Sequence, residues 1–429
     1  MLRRLYSLLM TLLVPAVCLR LLWRARKEPL YGKAIGERFG WYGADAPTGA
    51  AGWVWIHAVS LGETRAAASL VDALRRLDPT LRFLLTNGTA TGRAAAAALL
   101  QPGDAQLWLP WDSAGATRRF FARVRPRIGV LMETEVWPNL LHAAHATGVP
   151  MVLANARLSE RSLRRGERLA ALIRPAATTL SLVLAQTAAD ARRLRAFGGR
   201  DVEVCGNLKF DMAPSPAQLA QGRAWRDAVR RTIVLAASTR EGEEGALLAA
   251  WIDQPEPRPL LLVVPRHPQR FDEVARLVQA SGLSLARRSS WGELPPAGAA
   301  AADVWLGDSM GELPLYYAQA QVALLGGSFE PLGGQNLIEA AVCGCPVLMG
   351  PHTFNFAQAA ELALEAGAAR RVASLAEAVH LACAPTDAAE RRAQFARCLA
   401  FAAQHRGAAD RMAARIATLL PPAGGNGSA

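Results

Sequence analysis

The stretch VWIHAVSLGETRAAASLVDALRRL, residues 54–77, changes its hydrophobic period midway. Val54–His57 is a short apolar run of strand length, rich in β-branched and aromatic residues. Ala58, Ser60 and Gly62 then make a small-residue loop. From Glu63 to Leu77 the apolar positions recur at helical spacing. Strand, tight loop and helix in that order are the opening of a βαβ unit.

The same alternation continues outward. Strand-like runs stand at Arg82–Thr86, Gln106–Leu109, Ile128–Met132, Met151–Ala154, Leu182–Ala185 and Val202–Cys205, with helical stretches such as Ser159–Ile173 between them. Asp211-Met212-Ala213-Pro214-Ser215-Pro216 reads as a linker. A second series follows at Ile233–Ala236, Leu260–Val264, Val304–Leu306, Val322–Leu325 and Val347–Met349, closed by an Ala/Arg-rich helical tail from about Ala388 to Leu420. The expected fold is α/β, with two doubly wound, Rossmann-like domains on parallel sheets facing an interdomain cleft. Ligands in such sheets bind beyond the carboxyl ends of the strands, at the switch point. The expected divisions are an N-terminal anchor at 1–27, a first domain at 28–212, a second at 213–420, and a disordered tail at 421–429.

Two domains suit a chain of 429 residues. With 51% hydrophobic and 20% charged residues, intrinsic disorder is excluded for most of it. The net charge of +12 asks for an anionic counterpart: nucleic acid, a membrane surface or a phosphorylated substrate. The basic residues are spread rather than striped, and no nucleic-acid module is present, which argues against the first. The six cysteines form no CxxC pair, so neither a disulfide scaffold nor a structural metal site is expected.

Met1–Lys27 carries no charge between Arg4 and Arg20. Fifteen helical residues reach roughly 22 Å, against a hydrocarbon core of about 30 Å. The segment just spans if Arg20 snorkels and the helix continues through Trp23. Otherwise it lies in the interface. Neither a small-residue cleavage site nor a lipoprotein site ends the run. The larger number of basic residues after it places the body on the cytoplasmic side.

Chemistry-bearing residues follow the strands. Trp55–Glu63 places a carboxylate, Glu63, at a helix start, either as a general base toward the cleft or as a first-turn residue favoured by the helix dipole. Met132-Glu133-Thr134-Glu135-Val136-Trp137-Pro138-Asn139 puts two carboxylates at a strand end, with Glu135 also placed to cap the next helix. Asn155–Ser159 and Gly206–Asp211 are polar clusters after apolar strands, and Lys209 can reach toward an anionic group. Ala237-Ser238-Thr239-Arg240-Glu241-Gly242-Glu243-Glu244 offers hydroxyls and free N–H groups at a helix start, as a phosphate site or as ordinary capping. Val264–Pro268 ends in a rigid, basic tip, and Gly307–Leu313 follows a third strand. Gly326-Gly327-Ser328-Phe329 and Gly333-Gly334-Gln335-Asn336-Leu337-Ile338-Glu339 are the densest stretch. Their glycines let backbone approach a ligand, and a helix opening at Gln335 offers unpaired N–H groups.

Taken in order, HAVSLGE, ETEVWPN, NARLSERS, GNLKFD, PRHPQRF, GDSMGEL, GGSFEPLGGQN and GPHTFNF resemble the 3-deoxy-D-manno-octulosonic acid (Kdo) transferases of lipopolysaccharide synthesis, from the N-terminus to about residue 370. The resemblance implies a GT-B fold. It implies transfer of Kdo from CMP-Kdo to the 6'-hydroxyl of lipid IVA, with inversion at the anomeric carbon. Whether one Kdo or two are added is left open. By motif, Glu63 would be the general base, and Glu133 and Lys209 would stabilise the transition state. Pro265, Arg266, Met310, Gly311, Glu312, Asn336, Leu337, Ile338 and Glu339 would hold CMP-Kdo, with Ser238 and Thr239 near its phosphate or carboxylate. A helix dipole would help CMP leave, so neither metal nor cofactor is implied. Gln335 stands where the familiar glycine motif has histidine; an amide can donate or accept a hydrogen bond but cannot take an acid role. The implied partners are CMP-Kdo, lipid IVA and the anionic lipids of the bacterial inner membrane, with no nucleic acid. The alternative is another membrane-associated GT-B transferase that uses a UDP-sugar and a lipid acceptor.

Overall fold

The computed structural model describes residues 1–420, so the expected tail at 421–429 lies outside the described residues. The chain forms two compact units, Met1–Met212 with the segment from Arg406 onward, and Ala213–His405.

The first unit is built on seven strands: β1 (Val54–His57), β2 (Phe83–Asn87), β3 (Ala105–Trp108), β4 (Ile128–Met132), β5 (Met151–Ala156), β6 (Leu182–Ala185) and β7 (Val202–Val204). All pair in parallel, in the order β3-β2-β1-β4-β5-β6-β7. β1 and β4 are fully buried, as expected of strands covered by helices on both faces. The order reverses between β1 and β4, which makes that pair the switch point.

The second unit repeats the plan. Its strands are β8 (Ile233–Thr239), β9 (Leu260–Pro265), β10 (Leu285–Arg287), β11 (Val304–Leu306), β12 (Val322–Leu325), β13 (Val347–Met349) and β14 (Ala369–Arg371). The sheet is parallel, in the order β10-β11-β9-β8-β12-β13-β14, with its switch at β8 and β12.

One expected division is corrected. The helical tail does not all belong to the second unit. It breaks at Gly407, which takes φ +89°, and the helix Ala408–Ala417 packs on the first unit. Its apolar face, Met412, Ala413 and Ile416, joins the core of Leu70, Leu74 and Cys205. Asp211 fixes the turn by accepting from the N–H groups of Gly407 and Ala409, each at 2.6 Å. Burial of that face outweighs sequence adjacency. The stretch Ser159–Ile173 is also two helices, Glu160–Glu167 and Ala170–Ala177.

Among the described residues, no single helix is long and apolar enough to cross a membrane. The N-terminal segment is a pair, Leu2–Leu12 and Val14–Ala25, bent by 45° where Pro15 opens the second helix. The pair together has the length and composition of a span. Polar groups tie the first helix to the body: Tyr6 Oη donates to Asp112 (2.9 Å), and Trp111 Nε1 donates to the Met10 carbonyl (2.8 Å). Leu2, Leu5, Leu9, Leu12, Leu19 and Trp23 are exposed, the reverse of a soluble helix pair.

Candidate functional site

At the β1 end, Ser60 caps the helix Leu61–Leu77 by accepting from the Glu63 N–H. Glu63 reaches back, accepting from the Val59 N–H (2.8 Å) and the Ser60 hydroxyl (2.9 Å). This is a variant of the capping box in which the glutamate bonds the N–H before the cap and the cap's hydroxyl. It holds both carboxylate oxygens while leaving each a spare lone pair. Burial, and then the charge of Glu133, raise the Glu63 carboxyl above its ordinary value, while its hydrogen bonds oppose the rise. The helix-start and general-base readings are therefore compatible.

Glu133 directly follows β4. It is buried and takes φ +59°, a costly conformation for a residue with a side chain. Its N–H is held by the Ala154 carbonyl at 2.9 Å. Its two oxygens meet two cations, Arg157 Nε at 3.0 Å and Lys209 Nζ at 3.7 Å. Lys209 is placed by a chain of amides. Asn155, itself at φ +52°, accepts from the Leu208 N–H (3.1 Å), and Asn207 accepts from the Lys209 N–H (3.0 Å). Thus Glu133, Arg157 and Lys209, far apart in sequence, converge at the ends of β4, β5 and β7. Glu63 lies at the neighbouring strand end, within electrostatic reach.

Glu135 does not cap the next helix, whose N-cap is Trp137 with no side-chain capping bond. It accepts instead from Trp137 Nε1 at 2.6 Å. Burial, with Glu63 and Glu133 nearby, pushes its carboxyl up to about 7.

In the second unit, Ser238 takes φ +57° at a bulge in β8. Gly326 passes so close that an added Cβ would stand 2.3 Å from the Ser238 carbonyl oxygen, so only glycine fits there. Thr239 is buried and donates to Glu244 at 2.8 Å. Glu243 accepts the Gly327 N–H at 2.8 Å and the Arg240 N–H at 2.9 Å, tying the glycine loop to the β8 end. The sequence had shown Glu243 and Glu244 only as members of a motif. Two first-turn glutamates after a strand were the available signal for this tie. Pro265 ends β9, and the Arg266 N–H bonds to the Thr239 carbonyl at 3.0 Å, leaving the Arg266 side chain exposed.

Met310 is exposed and Gly311 takes φ +82°. Glu312 is held by Arg288 (2.8 Å) and by the Ser309 hydroxyl. The last helix of the motif begins at Leu337 with Asn336 as its cap, not at Gln335. Asn336 accepts from the Ile338 N–H at 3.2 Å. The Leu337 and Ile338 side chains are buried in the core, while Glu339 is half-buried. Gln335 N–H donates to Gly326, and Gly334 N–H to Gly327, so the two glycine stretches brace each other.

A family model described as 3-deoxy-D-manno-octulosonic-acid transferase (kdotransferase) matches residues 33–212, ending where the first segment of the first unit ends. The chain is 49% identical over 427 residues to the 3-deoxy-D-manno-octulosonic acid transferase of Bordetella pertussis, covering 95% of this chain and 97% of that one. It is 36% identical over 370 residues to that of Haemophilus influenzae, covering 83% and 84%. Among solved structures, Anabaena HepE in complex with UDP-glucose matches with a TM-score of 0.55 at 15% identity, over 85% of this chain and 99% of that one. The glycotransferase of kitacinnamycin matches at 0.53 and 16%, over 86% and 99%. At such identities the likeness concerns the fold, which is GT-B.

Proposed function

The chain belongs to the Kdo transferase family of lipopolysaccharide biosynthesis, a family of glycosyltransferases, and on that premise we propose that it moves Kdo from CMP-Kdo to the 6'-hydroxyl of lipid IVA with inversion. The observation that carries the reading is the Glu133 carboxylate, held at positive φ between Arg157 and Lys209 beside Glu63. Strain of this kind is kept by the surrounding structure and clusters at active sites.

Glu63 is the general base. Its capping bonds fix the carboxylate, and burial raises its pKa above the ordinary value, which improves the match to an alcohol proton. As the acceptor oxygen attacks the anomeric carbon, positive charge grows on the sugar ring and negative charge on the departing CMP. Glu133 is assigned to the first and Lys209 to the second; the ion pairs of Glu133 with Arg157 and Lys209 hold the carboxylate and the ammonium in place. Ser238, Thr239, Pro265, Arg266, the Met310–Glu312 turn and the Asn336–Glu339 segment receive CMP-Kdo.

The exposed apolar face of the N-terminal helix pair, with Arg24, Arg26 and Lys27 after it, supports attachment to anionic lipid on the cytoplasmic side of the inner membrane. The lipid acceptor is reached from the same surface.

The test is turnover of purified protein in detergent with CMP-Kdo and lipid IVA, read by mass spectrometry beside Glu63→Ala. A product one or two Kdo masses heavier, absent in the variant, is expected. No product from the intact protein contradicts the reading and favours a UDP-sugar donor.

A further inference from the structure

The second unit contains a cavity of about 970 Å³ that no step of this reaction uses. It opens at the amino ends of the strands, lined by Thr232 before β8, Pro259 before β9, Pro346 before β13 and Ala368 before β14. The residues assigned to the donor stand at the opposite, carboxyl ends. The seven residues of β8 separate the two edges by roughly 20 Å. The volume is that of a small-molecule site.

Its lining is one-sided in charge. Five arginines contribute, Arg231, Arg258, Arg370, Arg391 and Arg397, and no aspartate or glutamate does. Three of the five are already engaged. Arg231 donates to the carbonyls of Ala300 (2.9 Å) and Ala302 (2.8 Å). Arg258 pairs with Glu256, and Arg397 with Glu390. The side chains of Arg370 and Arg391 are exposed and make no hydrogen bond or ion pair within the described residues. Between the cations the wall is apolar, with Val322, Leu348 and Leu381. Unpaired guanidinium forks match phosphate oxygens two at a time, and like charges gathered around one cavity are relieved by an anion.

We propose that this cavity is a second ligand site, which binds a small soluble organic phosphate. Its phosphate lies between Arg370 and Arg391, and its apolar body lies on Val322, Leu348 and Leu381. The site is distinct from the donor-binding edge, so its ligand does not compete there.

Calorimetric titration of the full chain in neutral detergent tests this, with hexyl phosphate as the probe. One molecule bound per chain is expected. The double variant Arg370→Ala/Arg391→Ala should bind at least about tenfold more weakly, a difference of about 1.4 kcal/mol. Both arginines are exposed, and an unchanged melting temperature certifies the variant's fold. Hexanol, without the phosphate, should not bind, and Arg266→Ala should bind as the parent does. The proposal is overturned by absence of binding, by equal affinity in the double variant, by equal binding of hexanol, or by loss of binding in Arg266→Ala alone.

Discussion

The two switch-point edges carry acidic residues in similar number and use them differently. At the first unit's edge, Glu63, Glu133 and Glu135 lie close enough that the charge of one raises the pKa of another. At the second unit's edge, Glu243 is engaged by the backbone of the glycine loop, Glu244 by Thr239 and Arg270, and Glu312 by Arg288. The first edge keeps carboxylates poised against one another. The second consumes them in holding loops that would receive a ligand. Neither the density of acidic residues nor a like-charge neighbour marks a base, since Glu244 raises the pKa of Glu243 as Glu133 raises that of Glu63. What differs is that Glu243 and Glu244 are taken up by the glycine loop, Thr239 and Arg270.

The contrast breaks first at Glu133 and Lys209. Glu133→Gln and Lys209→Ala should each lower kcat/KM by about 10²–10³, the loss seen when a preorganised charge is removed from a transition state. Steady-state kinetics with CMP-Kdo and lipid IVA check this. If either variant loses less than about twofold, the first edge is not the chemical one.

A pH–rate profile sharpens the point. The rate should fall on the acid side as Glu63 takes up a proton, at an apparent pKa above the ordinary 4.5. Removing the Glu133 charge makes that proton less favourable. The acid limb of the residual activity in Glu133→Gln should therefore shift to lower pH.

Folding stability offers a smaller effect. His57 is buried, and its Nδ1–H donates to the Thr86 carbonyl at 3.0 Å. Burial lowers its pKa from 6.5 to about 4, so it folds neutral. Its contribution is complete above pH 6.5 and is lost as pH falls from there toward about 4, at no more than about 1.4 kcal/mol per pH unit. Urea unfolding at pH 7.5 and pH 5 should show the acid-side loss, reduced in His57→Gln. The smallest effect is at Glu135. Glu135→Gln should match the parent below pH 7, where the carboxyl is already protonated, and diverge only above it.

Most of the sheet core was legible. β1, β4, β6, β11, β12 and β13 run between the residues that their apolar stretches indicate. Edge strands β10 and β14 were not, because Leu285–Arg287 and Ala369–Arg371 are three residues long and carry no buried face. The return of Ala408–Ala417 to the first unit was hidden for another reason. An amphipathic period shows that a face is buried, not which sheet buries it. At the site, motif order located the strand ends, but partners across them were invisible. Nothing in the spacing of Glu133, Arg157 and Lys209 says that they meet, and nothing distinguishes Glu135 as a buried carboxylate bonded to Trp137.

The central claim is that the first edge supplies chemistry and the second shapes donor binding. Glu63→Gln and Glu243→Gln, compared at varied CMP-Kdo, test it most directly. The account predicts that Glu63→Gln loses kcat with the KM for CMP-Kdo nearly unchanged, while Glu243→Gln raises that KM and keeps most of kcat. The reverse pattern, or a kcat in Glu63→Gln equal to the parent's, would contradict it.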